Sequence, residues 1–212
     1  KAVYLAFIGL DDEVAGYKTA KILLENGAKR IVAIDGIPGI STSEGRHRGM
    51  EKAVKEAGAT LLGSQPSFWT REKGMQIMED FLQAFGDKID GVWSAGTDPL
   101  LGALTAIENV GKAGKILLAG IDHTVSGLDA LQQRKILALG GGHEAMAAWA
   151  MTILSDYFHG IRTKPEKYYL ELFYLFPEDV AAYKQKIAYP LQAGVPVVDW
   201  AKVNKKDNPS VD

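Results

Sequence analysis

Five short stretches hold the side chains able to do chemistry, and each stands where an apolar run gives way to a polar one. They are Gly36 through Glu44 to Arg46, Gln65 to Trp69, Thr97-Asp98, Asp122-His123 and Gly142-His143. Together they supply carboxylates, an arginine, an indole and small polar groups. A sugar needs that mixture. Carboxylate and guanidinium make charge-assisted, often two-pronged hydrogen bonds to vicinal hydroxyls, and an aromatic face covers the apolar side of the ring. Catalysis asks for more: a nucleophile with a base beside it, or metal ligands at fixed spacing. The sequence shows neither. His47, His123 and His143 fall near the same edge, but their spacing fits no ligand pattern, and solvated histidines are the commoner outcome. Gly140-Gly141-Gly142 before a helix could cradle a phosphate, yet the lysine and serine of a P-loop are missing. No catalytic residue, metal or cofactor is expected.

Each candidate also has a plain structural reading. Asp98, followed by Pro99, reads as a helix cap. Glu44 stands three residues after Ser41, the spacing of a capping box, and four before Arg48. Trp69 beside Phe68 could be core, Asp122 could cap the helix behind it, and Arg46 could pair with Glu44 or Asp35 at the surface.

To bring these positions together the chain must place several strand ends side by side. It alternates strand and helix at short intervals, which argues for a doubly wound parallel sheet with helices on both faces, an α/β fold. Strands are expected at residues 3–8, 31–34, 60–63, 91–94, 115–121 and 136–139. Helices are expected at 12–26, capped by Asp11 or Asp12 and stopped by Gly27, and at 43–57. A third carries Met75, Met78, Phe81, Leu82 and Phe85 on one stripe. Others run from Asp98 through Ile107, over 125–132 and over 144–159. Gly36, Pro38 and Gly39 let the backbone turn sharply after the second strand, and in open α/β sheets ligands bind at such carboxyl ends. After Gly160 the texture changes. Residues 168–175 read as a long aromatic strand packing elsewhere than on the first sheet, followed by a short helix from Pro177 through Ile187.

The bulk properties exclude little. At 212 residues, 47% hydrophobic and 24% charged, the chain can bury one good core or two small ones. A net charge of −2 without basic runs gives no reason to expect nucleic acid. No apolar run approaches the ~20 residues needed to span a bilayer. The absence of cysteine excludes disulfides and leaves the compartment open.

In their order along the chain these pieces resemble the type I periplasmic solute-binding proteins of the ribose and galactose group. The same fold serves the effector domains of lac-repressor-type regulators. The matching pieces are Gly36-Ile37-Pro38-Gly39 with Arg46 and Gly49, Ser64-Gln65-Pro66 with Trp69, Thr97-Asp98 before Gly102-Ala103-Leu104, and Gly120-Ile121-Asp122. The resemblance implies that Thr97 and Asp122 hydrogen-bond the sugar, that Trp69 stacks on its ring and that Arg46 reaches a hydroxyl. Glu44 stands where some ribose binders carry arginine, Thr97 replaces the usual asparagine, and Gly142 or His143 replaces a glutamine. The pocket is therefore not a standard ribose pocket.

The resemblance divides the chain into a hinge crossing at 1–11, a C-terminal ligand-binding lobe at 12–142, a return to an N-terminal lobe at 143–187 and an extended tail at 188–212. Most of that N-terminal lobe is expected to lie outside these residues, on another chain if not on this one. The implied protein is the substrate-binding component of a sugar ABC importer rather than an enzyme. It would take a sugar or polyol as ligand and a membrane permease or receptor as partner. It would work in the periplasm or outside the cell, with or without a lipid anchor, by closure of two lobes about a hinge. The alternatives are a regulator's effector domain and a sugar sensor for a membrane receptor; a flavodoxin-like or metal-dependent enzyme ranks third.

Overall fold

Ile31, Val32, Ala33 and Ile34 are consecutive and all fully buried, which only a strand covered on both faces allows. A computed structural model of the chain describes residues 4–161 and 166–188. The chain runs β1 (Ala6–Leu10), α1 (Asp12–Glu25), β2 (Arg30–Asp35), α2 (Ser41–Glu56), β3 (Thr60–Pro66) and α3 (Arg71–Phe85). It continues through β4 (Gly91–Ser94), α4 (Thr97–Asn109), β5 (Leu117–Ile121), α5 (Val125–Gln132), β6 (Ala138–Gly141) and α6 (Ala145–Phe158). Then follow β7 (Glu166–Leu170), β8 (Phe173–Leu175), α7 (Val180–Tyr183) and a π-helical turn at Lys184–Ala188.

The chain divides into two compact units. The larger, Asp11–Gly141 with Phe173–Ala181, holds a six-stranded sheet in the order β3-β2-β4-β5-β6-β8. Its first five strands are parallel, and β8 runs antiparallel along β6. Ile31, Ala33, Trp93, Ala95 and Ala119 point to the face where Ala20 and Leu23 of α1 meet Met50, Ala53 and Val54 of α2. The alternate residues point the other way, where Leu100 of α4 sits over Gly120. Each large apolar side chain so buried contributes roughly 1.5–3 kcal/mol. The helices pair closely because glycine removes the obstacle. A β-carbon on Gly49 would lie 1.9 Å from the Glu13 carbonyl oxygen, and one on Gly102 would lie 1.9 Å from that of Arg71.

The second unit contains β1 and β7, paired in parallel, with α6 against β1. Phe7 and Tyr169 meet across the pair in a tilted contact, ring centroids 5.7 Å apart, and Tyr183 donates to Glu144 at 3.0 Å. This unit leaves Tyr4, Phe7, Tyr169, Trp149, Met151 and Phe158 exposed.

Several expectations need correction. The aromatic stretch 168–175 is not one strand apart from the first sheet. It breaks at Glu171-Leu172, and while β7 pairs with β1, β8 joins the six-stranded sheet. Tyr174 secures β8: its ring lies against Gly140 and its hydroxyl donates to the Ala15 carbonyl at 3.0 Å. Residues 173–181, expected with the returning segment, accordingly cluster with the larger unit. Aromatic content marks a strand but not its partner.

The first strand begins at Ala6 rather than Val3, which is outside the described residues, as is the tail over 189–212. Gly96, not Asp98, is the N-cap of α4, so Asp98 and Pro99 lie within the first turn. At α2 the N-cap is Ile40, and Glu44 accepts from the Gly39 amide at 3.1 Å instead of closing a box with Ser41. Pro177 sits in a turn, and the helix expected from Pro177 through Ile187 begins at Val180, as α7 running directly into the π-helical turn Lys184–Ala188. Asp11 does cap α1, accepting from the Val14 amide at 3.0 Å.

Candidate functional site

Parallel strands end together, so β2, β3, β4 and β5 deliver their next residues to one edge of the larger unit. The turn after β3 is tied to the end of β2. Both the amide and the hydroxyl of Ser67 donate to the Asp35 carbonyl, at 2.9 and 2.6 Å. Thr70 then caps α3 through the Lys73 amide. Between these anchors Phe68 and Trp69 take left-handed φ angles of 54° and 64°. The chain thereby turns the indole back across the sheet edge. It lies against Gly36, after β2, and Gly96, after β4.

Gly96 also faces Asp122. A β-carbon there would lie 3.1 Å from Cε3 of Trp69 and 3.5 Å from Oδ2 of Asp122. Asp122 follows β5 directly with φ at 90°, its amide donating to the Gly140 carbonyl at 2.7 Å. The fully buried Thr97 hydroxyl sits 2.7 Å from the Ile121 carbonyl oxygen and 2.6 Å from that of Asp122. With a single proton it serves both, so Thr97 is committed to holding the backbone that carries Asp122. A hydrogen bond to a sugar would have to compete with that commitment. Thr124, not Asp122, caps α5. Beside Asp122, His123 bonds the Leu139 carbonyl through Nε2 and packs 5.0 Å from the Phe173 ring.

Arg46 is 5% exposed. Its Nε donates to Asp12 at 3.0 Å and its Nη1 to the Ala95 carbonyl at 2.6 Å. These partners replace the expected Glu44 or Asp35, because the close approach of α1 to α2 turns the guanidinium inward. Its carbon lies 5.9 Å from the centre of the Trp69 ring, within cation–π range. Arg46 thus ties the start of α1 to the end of β4 and borders the indole. The nearby Tyr174 hydroxyl is pushed above the usual phenol range by burial, with Thr19 and Arg46 acting in the opposite direction.

Glu44 is exposed and borders a 190 Å³ depression with Asp35, Pro38, Ser43, His47 and Pro66. There Asp35 accepts from the Ser64 hydroxyl and meets His47 Nδ1 at 2.9 Å, while His47 Nε2 lies 3.3 Å from Glu51. The hydrogen bond to Asp35, outweighing partial burial, raises His47 to about 8. Ser64 bonds to Asp35 and not to the imidazole, so the trio is not a nucleophile and base. Asp98 is exposed and paired with Arg71 at 2.7 Å, which also reaches Ser126. Gly142 and His143 belong to the second unit, where the Gly142 amide donates to Glu144 at 3.1 Å. Among the described residues no group of three or more His, Asp or Glu could hold a metal.

Trp69, Thr97 and Asp122 are therefore together, with Arg46 at the ring, while Glu44 and Asp98 point to other partners. Sequence reasoning missed Gly96. The signal was there: a glycine between an apolar strand and a Thr-Asp-Pro helix start is the point of closest backbone approach.

A family model described as the periplasmic binding protein domain matches residues 1–161. The chain belongs to the periplasmic binding protein family. Among curated relatives, the ribose import binding protein of Salmonella typhimurium is 34% identical over 129 residues, 61% of this chain and 42% of that protein. The xylitol-binding protein of Mycolicibacterium smegmatis is 30% identical over 125 residues, 58% of this chain and 36% of its own length. The solved ABC transporter solute-binding protein of Actinobacillus succinogenes with bound D-allose superposes with a TM-score of 0.79 at 27% identity. That match covers 85% of this chain and 65% of the other. A periplasmic sugar-binding protein from Pseudomonas fluorescens gives 0.84 at 25% identity, covering 94% and 64%. The chain spans less than half the length of these curated relatives and under two thirds of the solved ones.

Proposed function

We propose that the chain carries the ligand-binding lobe of a solute-binding protein that delivers a sugar or polyol to an ABC importer. The observation that supports this most is the pairing of an apolar ring with a carboxylate across Gly96, the two surfaces a sugar presents need. Family membership, and the ribose, xylitol and allose in the names of the relatives, point to the same ligand class. Trp69 stacks on the ring, Asp122 accepts from hydroxyls, and Thr97 and Arg46 hold them in place. The protein acts outside the cytoplasmic membrane, its partner the importer's permease, and it performs no catalysis.

The second unit is a portion of the other lobe. Two parallel strands are too few to be stable alone. The exposed apolar faces of β1, β7 and α6 suit cover by further strands and helices, from more of this polypeptide or from another. Calorimetric titration with pentoses, hexoses and polyols tests the reading, with intact mass recorded for the sample. At least one sugar binds, and Asp122→Ala weakens it by about 2 kcal/mol or more, the loss of a charged acceptor. No binding by any member of the panel refutes the function; unchanged affinity in the variant removes Asp122 from the site.

A further inference from the structure

The indole of Trp69 has no side chain beneath it at two successive strand ends. A β-carbon on Gly36 would lie 2.1 Å from Cζ2, 2.2 Å from Cη2 and 2.6 Å from Cε2 of Trp69. All three atoms belong to the six-membered ring, and two of them have no counterpart in a phenyl ring. One on Gly96 would lie 3.1 and 3.3 Å from Cε3 and Cζ3, on the same ring. Neither glycine adopts a left-handed φ. Their backbones would accept alanine, so the demand for glycine here is one of space alone.

The loop pays for this placement in strain. Phe68 and Trp69 both hold left-handed angles, unfavourable for side chains of that size, and the Ser67 and Thr70 anchors on either side hold them there. Arg46 borders the ring and is itself fixed by Asp12 and Ala95.

We propose that Gly36 and Gly96 are specificity-determining positions of the sugar site: by leaving the ends of β2 and β4 bare they admit a full indole and fix the height of the stacking surface. The inference rests on the sugar-binding reading above. A phenyl ring would cover less of that edge and leave the cleft deeper over Gly36. The indole suits a ligand with a broad apolar face, a sugar ring with its exocyclic carbon, lying directly on the platform. Binding surfaces hold their geometry to about half an ångström. A methyl group at position 36 must push Cζ2 of the ring from 2.1 Å out to ordinary contact at 3.4 Å, a displacement of about 1.3 Å.

The test combines sugar titration with the indole NMR signal of Trp69, assigned by its loss in Trp69→Phe. Gly36→Ala is expected to shift that signal and weaken the best sugar at least tenfold, with thermal unfolding showing an intact fold. In the Trp69→Phe background the same alanine is expected to change affinity less than threefold, because the obstructed atoms are gone. Gly96→Ala, a milder intrusion, should act in the same direction with a smaller effect, and it serves if Gly36→Ala does not fold. An unshifted indole signal, or a shifted one with unchanged affinity, overturns the inference. Equal losses in the Trp and Phe backgrounds overturn it as well. If the unmodified protein binds no sugar, the functional reading fails instead, and the indole signal alone decides whether Gly36 positions the ring.

Discussion

Replacing Thr97 by valine separates the support of the site from its surface. The two side chains are nearly the same size, so the fully buried position opens no cavity. What is lost is one proton shared by the Ile121 and Asp122 carbonyls at 2.7 and 2.6 Å. The hydrogen bond itself is worth about 1 kcal/mol, and buried carbonyls left without it cost roughly 1–3 kcal/mol. Against that stands relief at Asp122, whose φ of 90° stores about 1–3 kcal/mol and can relax once its carbonyl is released. The net loss of stability is then only about 1–2 kcal/mol, but the carboxylate moves, and sugar affinity falls about tenfold or more. Thr97→Ser does the opposite: it keeps the hydroxyl, loses the methyl that packs near Gly127 at a cost of about 1 kcal/mol, and leaves affinity nearly unchanged. Denaturant unfolding, titration and hydrogen exchange at the Asp122 amide, now bonded to Gly140 at 2.7 Å, measure the three quantities. An Asp122 amide equally protected in the valine variant, with stability within about 0.5 kcal/mol of the original, would refute the reasoning.

Two other outcomes are expected. His47 is raised from 6.5 to about 8, so the stability it contributes is fully present below pH 6.5 and is lost as pH rises through about 8. A shift of this size corresponds to about 2 kcal/mol, reduced to about 1 by the solvent reaching a ring 27% exposed. Unfolding midpoints measured from pH 6 to 9 should decline across that window and lie flatter in His47→Gln; a profile unaltered by the substitution removes His47 as the cause. Arg46→Met should cost about 2–3 kcal/mol, below the 3–5 of a wholly buried pair because Asp12 keeps 20% exposure. Adding Asp12→Asn should recover at least 1 kcal/mol of that, and a double-mutant cycle showing no coupling would contradict the brace assigned to Arg46.

The sheet was legible because its cause is local. Four buried residues in a row at 31–34, and helices with a stripe such as Met75, Met78 and Phe81, have one economical arrangement, and strand ends then fall at one edge. The destinations of edge strands were not legible. Residues 168–175 have the composition of a strand, but Tyr174 reaching Ala15 across more than 150 residues of sequence is what draws β8 into the larger sheet. Helix starts slipped by a residue or two where backbone geometry overrode side-chain preference, as at Gly96 and Ile40.

Positions in the site were easier to read than roles. An arginine in the first turns of the helix after a glycine turn looks like a ligand contact until its neighbours are known; Asp12 and the Ala95 carbonyl, far away in sequence, make Arg46 an internal tie. The backbone gives the stronger sign of which side chains are candidates for a ligand. Among the described residues four that are not glycine have left-handed φ angles, and three of them are Phe68, Trp69 and Asp122. Glycine at any of the three would remove a cost of about 1–3 kcal/mol. Phe68 is exposed and precedes the indole in the same tight turn, so its strain is the consequence of placing Trp69. Asp122 and Trp69 then remain as the two side chains kept at the expense of the fold, and they meet at Gly96. Trp69 packs against the edge of the core that Trp93 fills, but Asp122 adds no apolar packing, so packing alone does not account for both angles. Under the proposed sugar-binding reading, the two would supply the apolar face and the carboxylate that such a ligand needs.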